Sequence, residues 1–147
     1  MTKPTEVSLM AQQTAITLTD AAGTPVNRVF NPAKRDGDVY RWDYRGSGIV
    51  AAYDQLTIST RLPSKAAKAT KVTMRLNCPT LEQTSASTAT GIQPAPTVAY
   101  TTVGEITLVL PERSNLQDRK NILAMLRDLI DESLTTAVVE NYDAPYF

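Results

Sequence analysis

Histidine is absent from the 147 residues, and cysteine occurs once, at Cys78. Without histidine there is no His-based catalytic triad, and with one thiol there is neither a zinc site of the usual His/Cys type nor an intrachain disulfide. A lone cysteine is a small apolar side chain before it is a nucleophile. Long apolar runs are also missing, none approaching the ~20 residues of a membrane span. The opening stretch MTKPTEVSLMAQQTAI has no basic start, apolar block or small-residue cleavage site, so no signal peptide is read and a cytosolic origin is expected. Net charge is zero, fifteen basic side chains against fifteen acidic ones.

What is present describes an ordinary globular chain. With 42% hydrophobic and 20% charged residues, a single domain spanning 1–147 is expected to build its own core without metal or disulfide. The zero net charge hides a segregation. From Arg28 to Arg75 there are ten Lys/Arg and four Asp/Glu, whereas from Leu76 to Phe147 there are four and nine. A basic middle of this kind suggests contact with a polyanion through one surface.

Along the chain, TAITLT (Thr14 to Thr19) alternates, a turn follows at Asp20-Ala21-Ala22-Gly23, and Val26 to Phe30 returns, which reads as a hairpin over 14–30. Asn31-Pro32 is expected to interrupt it, followed by a charged loop, AKRDGD. In Val39 to Tyr44, Tyr40, Trp42 and Tyr44 share one face and Arg41 and Asp43 the other. Gly46-Ser47-Gly48 lacks the length and the lysine of a phosphate-binding loop and reads as a turn. Two firmer strands follow, QLTISTRL and KVTMRL, joined by PSKAAKAT as an antiparallel hairpin. Each has an apolar face and a face of hydroxyls and cations. Cys78 to Thr97 is expected to be a long loop, and Tyr100 to Leu110 a strand in which Gly104 permits a bulge and Pro111 ends the run. The sheet region is thus 39–110.

The C-terminal region, 114–141, is helical by pattern. Ser114-Asn115-Leu116-Gln117 reads as a capping box, and Ile122, Leu123, Leu126, Leu129 and Ile130 recur at helical spacing as one apolar stripe. Asp131-Glu132-Ser133 offers a restart for a second short helix that stops near Asn141. Antiparallel strands followed by helices make an α+β fold, an N-terminal hairpin and an antiparallel sheet covered on one face by two helices. The hydroxyl and cation face then stays uncovered, which antiparallel sheets tolerate. The stripe, with no second layer in its own chain, is expected to bury itself on a two-fold partner, as a homodimer.

QLTISTRLPS, KVTMRLNCPT, GEITLVLPERSNLQDRKNILAML and the terminal ENYDAPYF, in that order and spacing, resemble the coat proteins of the single-stranded RNA bacteriophages, the leviviruses. The resemblance runs from Ala51 to Phe147; the first third matches in outline only, a hairpin ending in Asn-Pro. It implies dimers whose C-terminal helices interlock, a closed icosahedral shell with the sheet lining its inside, and a genomic RNA hairpin bound on the sheet face for packaging and for repression of translation. It further implies a place in the virion and synthesis in the bacterial cytoplasm; no cofactor, metal, membrane partner or small-molecule substrate is expected. Some members cross-link the long loop with paired cysteines. Cys78 has no second cysteine to pair with, so linked capsomers are not expected, and the loop is expected at contacts around symmetry axes.

By the same resemblance the RNA surface comprises Thr57, Ser59 and Arg61 on one strand, Lys71, Thr73 and Arg75 on the next, and Glu105 and Tyr100 on the last. Cations neutralise phosphate, hydroxyls reach the edges of unpaired bases, and an aromatic ring stacks on one of them. The stripe residues Ile122, Leu123, Leu126, Leu129 and Ile130 fall at the dimer interface. A dimeric repressor that binds RNA but forms no shell is the alternative. Enzymatic activity is not expected, because acidic pairs such as Glu112 and Asp118 flank a helix start, where carboxylates favour the helix dipole anyway.

Overall fold

A computed structural model describes residues 12–82, 91 and 95–146. Six strands and two α-helices follow one another: β1 (Ile16–Thr19), β2 (Asn27–Asp36), β3 (Val39–Tyr44), β4 (Asp54–Arg61), β5 (Ala69–Leu81), β6 (Val98–Pro111), α1 (Leu116–Asp131) and α2 (Ser133–Asn141). The strands form one antiparallel sheet in chain order, β1 to β6. The chain divides into two compact units, Met1–Leu62 with Lys71–Leu108, and Pro63–Thr70 with Val109–Phe147.

In the strand unit, alternation decides which residues meet. Trp42 lies opposite Leu56 and Leu56 opposite Leu76, while Tyr40 faces Ile58 and Ile58 faces Met74. Phe30, in register with Ile16, joins Trp42 and Leu56 as the buried core, with Ile16, Tyr40, Tyr44, Ile58 and Leu76 packed around them. Burying an indole requires a partner for its N–H. Trp42 Nε1 finds one in the carbonyl of Thr14, 2.7 Å away. The β1–β2 turn is held by Asp20, whose carboxylate accepts the amides of Val26 and Ala22 at 2.9 and 3.3 Å. Arg28 then donates to Asp20 at 3.0 Å and to the buried Asp54 at 2.6 Å, fastening the hairpin to the start of β4.

β6 exceeds its expected limits by three residues, at Val98, Ala99 and Pro111, and two strands outrun theirs by more. Asn31-Pro32 does not interrupt β2; the strand continues to Asp36 and turns through Gly37, at φ 59°, and Asp38 into β3. The ladder passes the proline because the register shifts between Pro32 and Lys34, a bulge that absorbs a residue without an amide proton. Likewise β5 runs through Cys78 to Leu81, so the connection expected over 78–97 begins at Glu82. Most of that connection lies outside the described residues.

In the helical unit, the cap of α1 is displaced by one residue from the expected Ser114. Asn115 accepts the amide of Asp118 at 2.8 Å, and the Asp118 carboxylate accepts the amide of Asn115 at 3.1 Å. Asparagine caps as well as serine does, and the Ser114 hydroxyl is spent on the carbonyl of Pro111, 2.7 Å away. Extended backbone at Glu132 separates the helices, and Tyr142, at φ 58°, closes α2. No residue of either helix is buried.

Candidate nucleic-acid interface

The face of β3 to β5 turned away from Trp42 and Leu56 collects the polar residues of alternating strands. Its centre is three cross-strand pairs, Thr57 with Arg75, Ser59 with Thr73, and Arg61 with Lys71. The six strand residues expected from sequence are therefore brought together as three rows, each cation or hydroxyl directly opposite another. Arg61 and Lys71 are both exposed, and neither has an ion-pair partner among the described residues. Like charges placed opposite one another on neighbouring strands cost stability, so this end of the face carries a net repulsion.

Arg75 is better provided for. It donates from Nε to Asn77 at 3.0 Å and stands 3.9 Å from the carboxylate of Glu105, which brings β6 into the cluster. The Thr57 hydroxyl lies 3.5 Å from the Arg75 carbonyl, at the limit of a hydrogen bond, and stays available to a ligand. Tyr100 is exposed on β6, and among the described residues no hydrogen bond or ring pairing ties its side chain to this cluster. Its neighbours diverge: Thr101 and Val103 line a hollow with Gln55, Arg75 and Asn77, whereas Thr102 lines another with Arg28, Asp54 and Cys78.

Four residues of this face escaped the sequence list. Gln55 and Asn77 face each other, and Asp43 lies opposite Gln55. Arg41 lies opposite Thr57 and holds the buried Asp43 carboxylate through two bonds, at 2.8 and 3.2 Å. The signal for them was present, because Arg41 and Asp43 alternate against Tyr40 and Trp42.

On the opposite side, a hollow of about 650 Å3 is lined by Asp20, Arg28, Asp54, Cys78 and Thr80 among others. Its charges are satisfied internally. Hydrogen bonding to Asp54 first, and to Asp20, raises the pKa of Arg28, while the Val26 amide above all holds Asp20 below the usual carboxylate range. Burial, aided by the nearby Asp54 carboxylate, pushes the Cys78 thiol up, so it stays protonated at neutral pH. This is a structural clamp. Among the described residues no group of three or more carboxylates and thiols could hold a metal ion.

The levivirus coat protein family matches residues 11–146. The chain belongs to the levivirus coat proteins. The virus-like particle of bacteriophage ESE058 is 31% identical, with a TM-score of 0.85 over 92% of this chain and 100% of that one. The virus-like particle of bacteriophage NT-214 is 27% identical, with a TM-score of 0.81 over 92% of this chain and 100% of that one. The bacteriophage GA protein capsid, at 21% identity, shares the fold, with a TM-score of 0.67 over 89% of this chain and 96% of that one. No curated protein sequence matches. As a levivirus coat protein the chain is a capsid component of a virion, structural rather than catalytic. The match extends the resemblance seen from Ala51 onward back through the N-terminal hairpin.

Proposed function

We propose that this coat protein forms homodimers through its helices, that the dimers close into an icosahedral shell, and that the polar sheet face binds an RNA hairpin of the phage genome. Binding there would both mark the genome for packaging and repress translation of the gene carrying the hairpin. The observation that supports the RNA reading most is the unneutralised Arg61–Lys71 pair beside the hydroxyl rows of Thr57, Ser59 and Thr73. Cations and hydroxyls on one face match phosphates and unpaired bases. Dimerisation is supported by the stripe of α1, where Ile122, Leu123, Leu129 and Ile130 are exposed and Leu126 is half-buried. Each such side chain gains roughly 1.5–3 kcal/mol when fully covered.

The RNA reading is tested by filter binding with wild-type and Lys71→Ala dimers over a range of salt concentrations. Loss of one phosphate contact should weaken binding of every RNA and flatten the plot of log affinity against log salt by about 0.7 to 0.9. An unchanged affinity and slope would mean that the face is merely solvated. Shell formation is read from negative-stain images of the expressed protein. Particles are expected; dimers alone would leave a repressor that does not assemble.

A further inference from the structure

β2 carries a residue whose side of the sheet is set by the bulge. Asn31 pairs with Asp43 and Pro32 with Trp42, but the next pair is Lys34 with Arg41, so Ala33 is an extra residue. In an unbroken ladder Ala33 would oppose Arg41, and Lys34 would oppose Tyr40 on the core side. The bulge instead moves Lys34 to the face of Arg41. Arg41 is in register with Thr57 and Thr57 with Arg75, so Lys34, Arg41, Thr57 and Arg75 form one row across four neighbouring strands. At about 4.8 Å per strand the row spans roughly 14 Å.

The bulge accommodates Pro32 and sets Arg35 over the Tyr40 ring, but cross-strand charge pairing disfavours the arrangement. Lys34 opposite Arg41 is a like-charge pair, and Arg61 opposite Lys71 is another on the same face. No cross-strand pair from β1 to β5 sets an acid against a base. Arg41 has the buried Asp43 as its counterion, but among the described residues Lys34 has only Asp36, 3.8 Å away, with both side chains mostly exposed. Such a surface pair is worth about 1 kcal/mol at most and leaves the ammonium free to exchange partners.

We propose that Lys34 is a phosphate contact, placed by the bulge at Ala33, that widens the RNA surface from β4 and β5 across to β2 without reading sequence. The inference rests on the polar face being the RNA interface. A phosphate held between Lys34 and Arg41 relieves their repulsion, as a phosphate between Arg61 and Lys71 does at the other end of the face. The backbone of one RNA thus meets cations at both ends while its bases lie over the hydroxyls between.

The test is filter binding of two unrelated RNA hairpins, at several salt concentrations, to dimers of wild type, Lys34→Ala, Lys34→Arg and Lys71→Ala. Lys34 is exposed, and elution of each variant as wild type checks its fold. Lys34→Ala should weaken both hairpins by the same factor and reduce the salt slope by about 0.7 to 0.9, with Lys34→Arg restoring both. If Lys71→Ala flattens the slope and Lys34→Ala does not, the RNA face stands and its extension to β2 is wrong. If neither variant has an effect, the RNA face itself is misassigned. A loss confined to one hairpin would make Lys34 a base-reading residue and overturn sequence-independent contact.

Discussion

The strand unit closes its own core and the helical unit does not. Phe30, Trp42 and Leu56 are 2%, 6% and 9% exposed, and the charged groups beside them, Asp43 and Asp54, are each bound by an arginine. In the helices the apolar residues are as well patterned, yet Leu129 and Ile130 remain 56% and 54% exposed. Local signals are strong in both: a reciprocal cap starts α1 and alternation orders the strands. What differs is how far each apolar pattern is covered. A helix gains most of its stability from packing its apolar face, and neither helix here buries a residue.

The largest effect is therefore expected on the helical side. Leu126→Asp or Leu129→Asp puts a carboxylate in the stripe, where covering it without a partner costs several kcal/mol, on the order of the whole stability of a domain. Size-exclusion chromatography should show neither soluble dimer nor shell. A well-folded monomer from either variant would break the comparison, because the stripe would then be satisfied within the subunit.

On the strand side, truncating a core residue should cost less but be felt by the chain alone. Phe30→Ala removes the most deeply buried side chain and should destabilise by about 3–5 kcal/mol, read from urea unfolding at fixed protein concentration. A cost below about 1 kcal/mol would mean that the strand unit does not depend on this core.

The same division governs what was legible in the sequence. Faces were readable, because period-two alternation is a local property: the parity of Thr57, Ser59 and Arg61 against Leu56 and Ile58 put six residues on one face, and the register, which alternation does not give, opposes them as three rows. Ends were less so. Asn31-Pro32 reads as a break, since proline lacks the ladder's donor, but one extra residue at Ala33 lets the strand pass. Ser114 and Asn115 are both capping residues, and only the competing bond of Ser114 to Pro111 settles the cap. The position of Tyr100 relative to the cluster depends on the local register of β6, which alternation cannot supply across an irregularity.

A smaller effect sharpens the account of how the strand unit holds itself. The Asp20 carboxylate is held below the usual range chiefly by the Val26 amide, with Arg28 adding to it. Its folded pKa is lowered, so its contribution is present above the unfolded value and is lost as pH falls through the folded one. Asp20→Asn keeps the shape and removes the charge. The variant should lose a little stability near neutrality and show a shallower decline in acid, measured as urea midpoints from pH 7 down to pH 2. An acid limb identical to wild type would remove Asp20 from the fastening of the hairpin.

The smallest effect falls where the strand unit is itself unfinished, on its polar face. The Thr57 hydroxyl is only 3.5 Å from the Arg75 carbonyl, a bond too long to contribute much to folding, so Thr57→Val should leave the urea midpoint nearly unchanged. The same hydroxyl, facing unpaired bases, would contribute about 0.5–1.5 kcal/mol to a matched hairpin. Filter binding against a hairpin selected from a randomised pool should therefore weaken by up to about tenfold, while an unselected RNA binds as before. The salt slope should not move, since a hydroxyl releases no counterion. A stability loss without any change in RNA preference would show that Thr57 serves the sheet rather than the ligand, and the polar face would then depend on its cations alone.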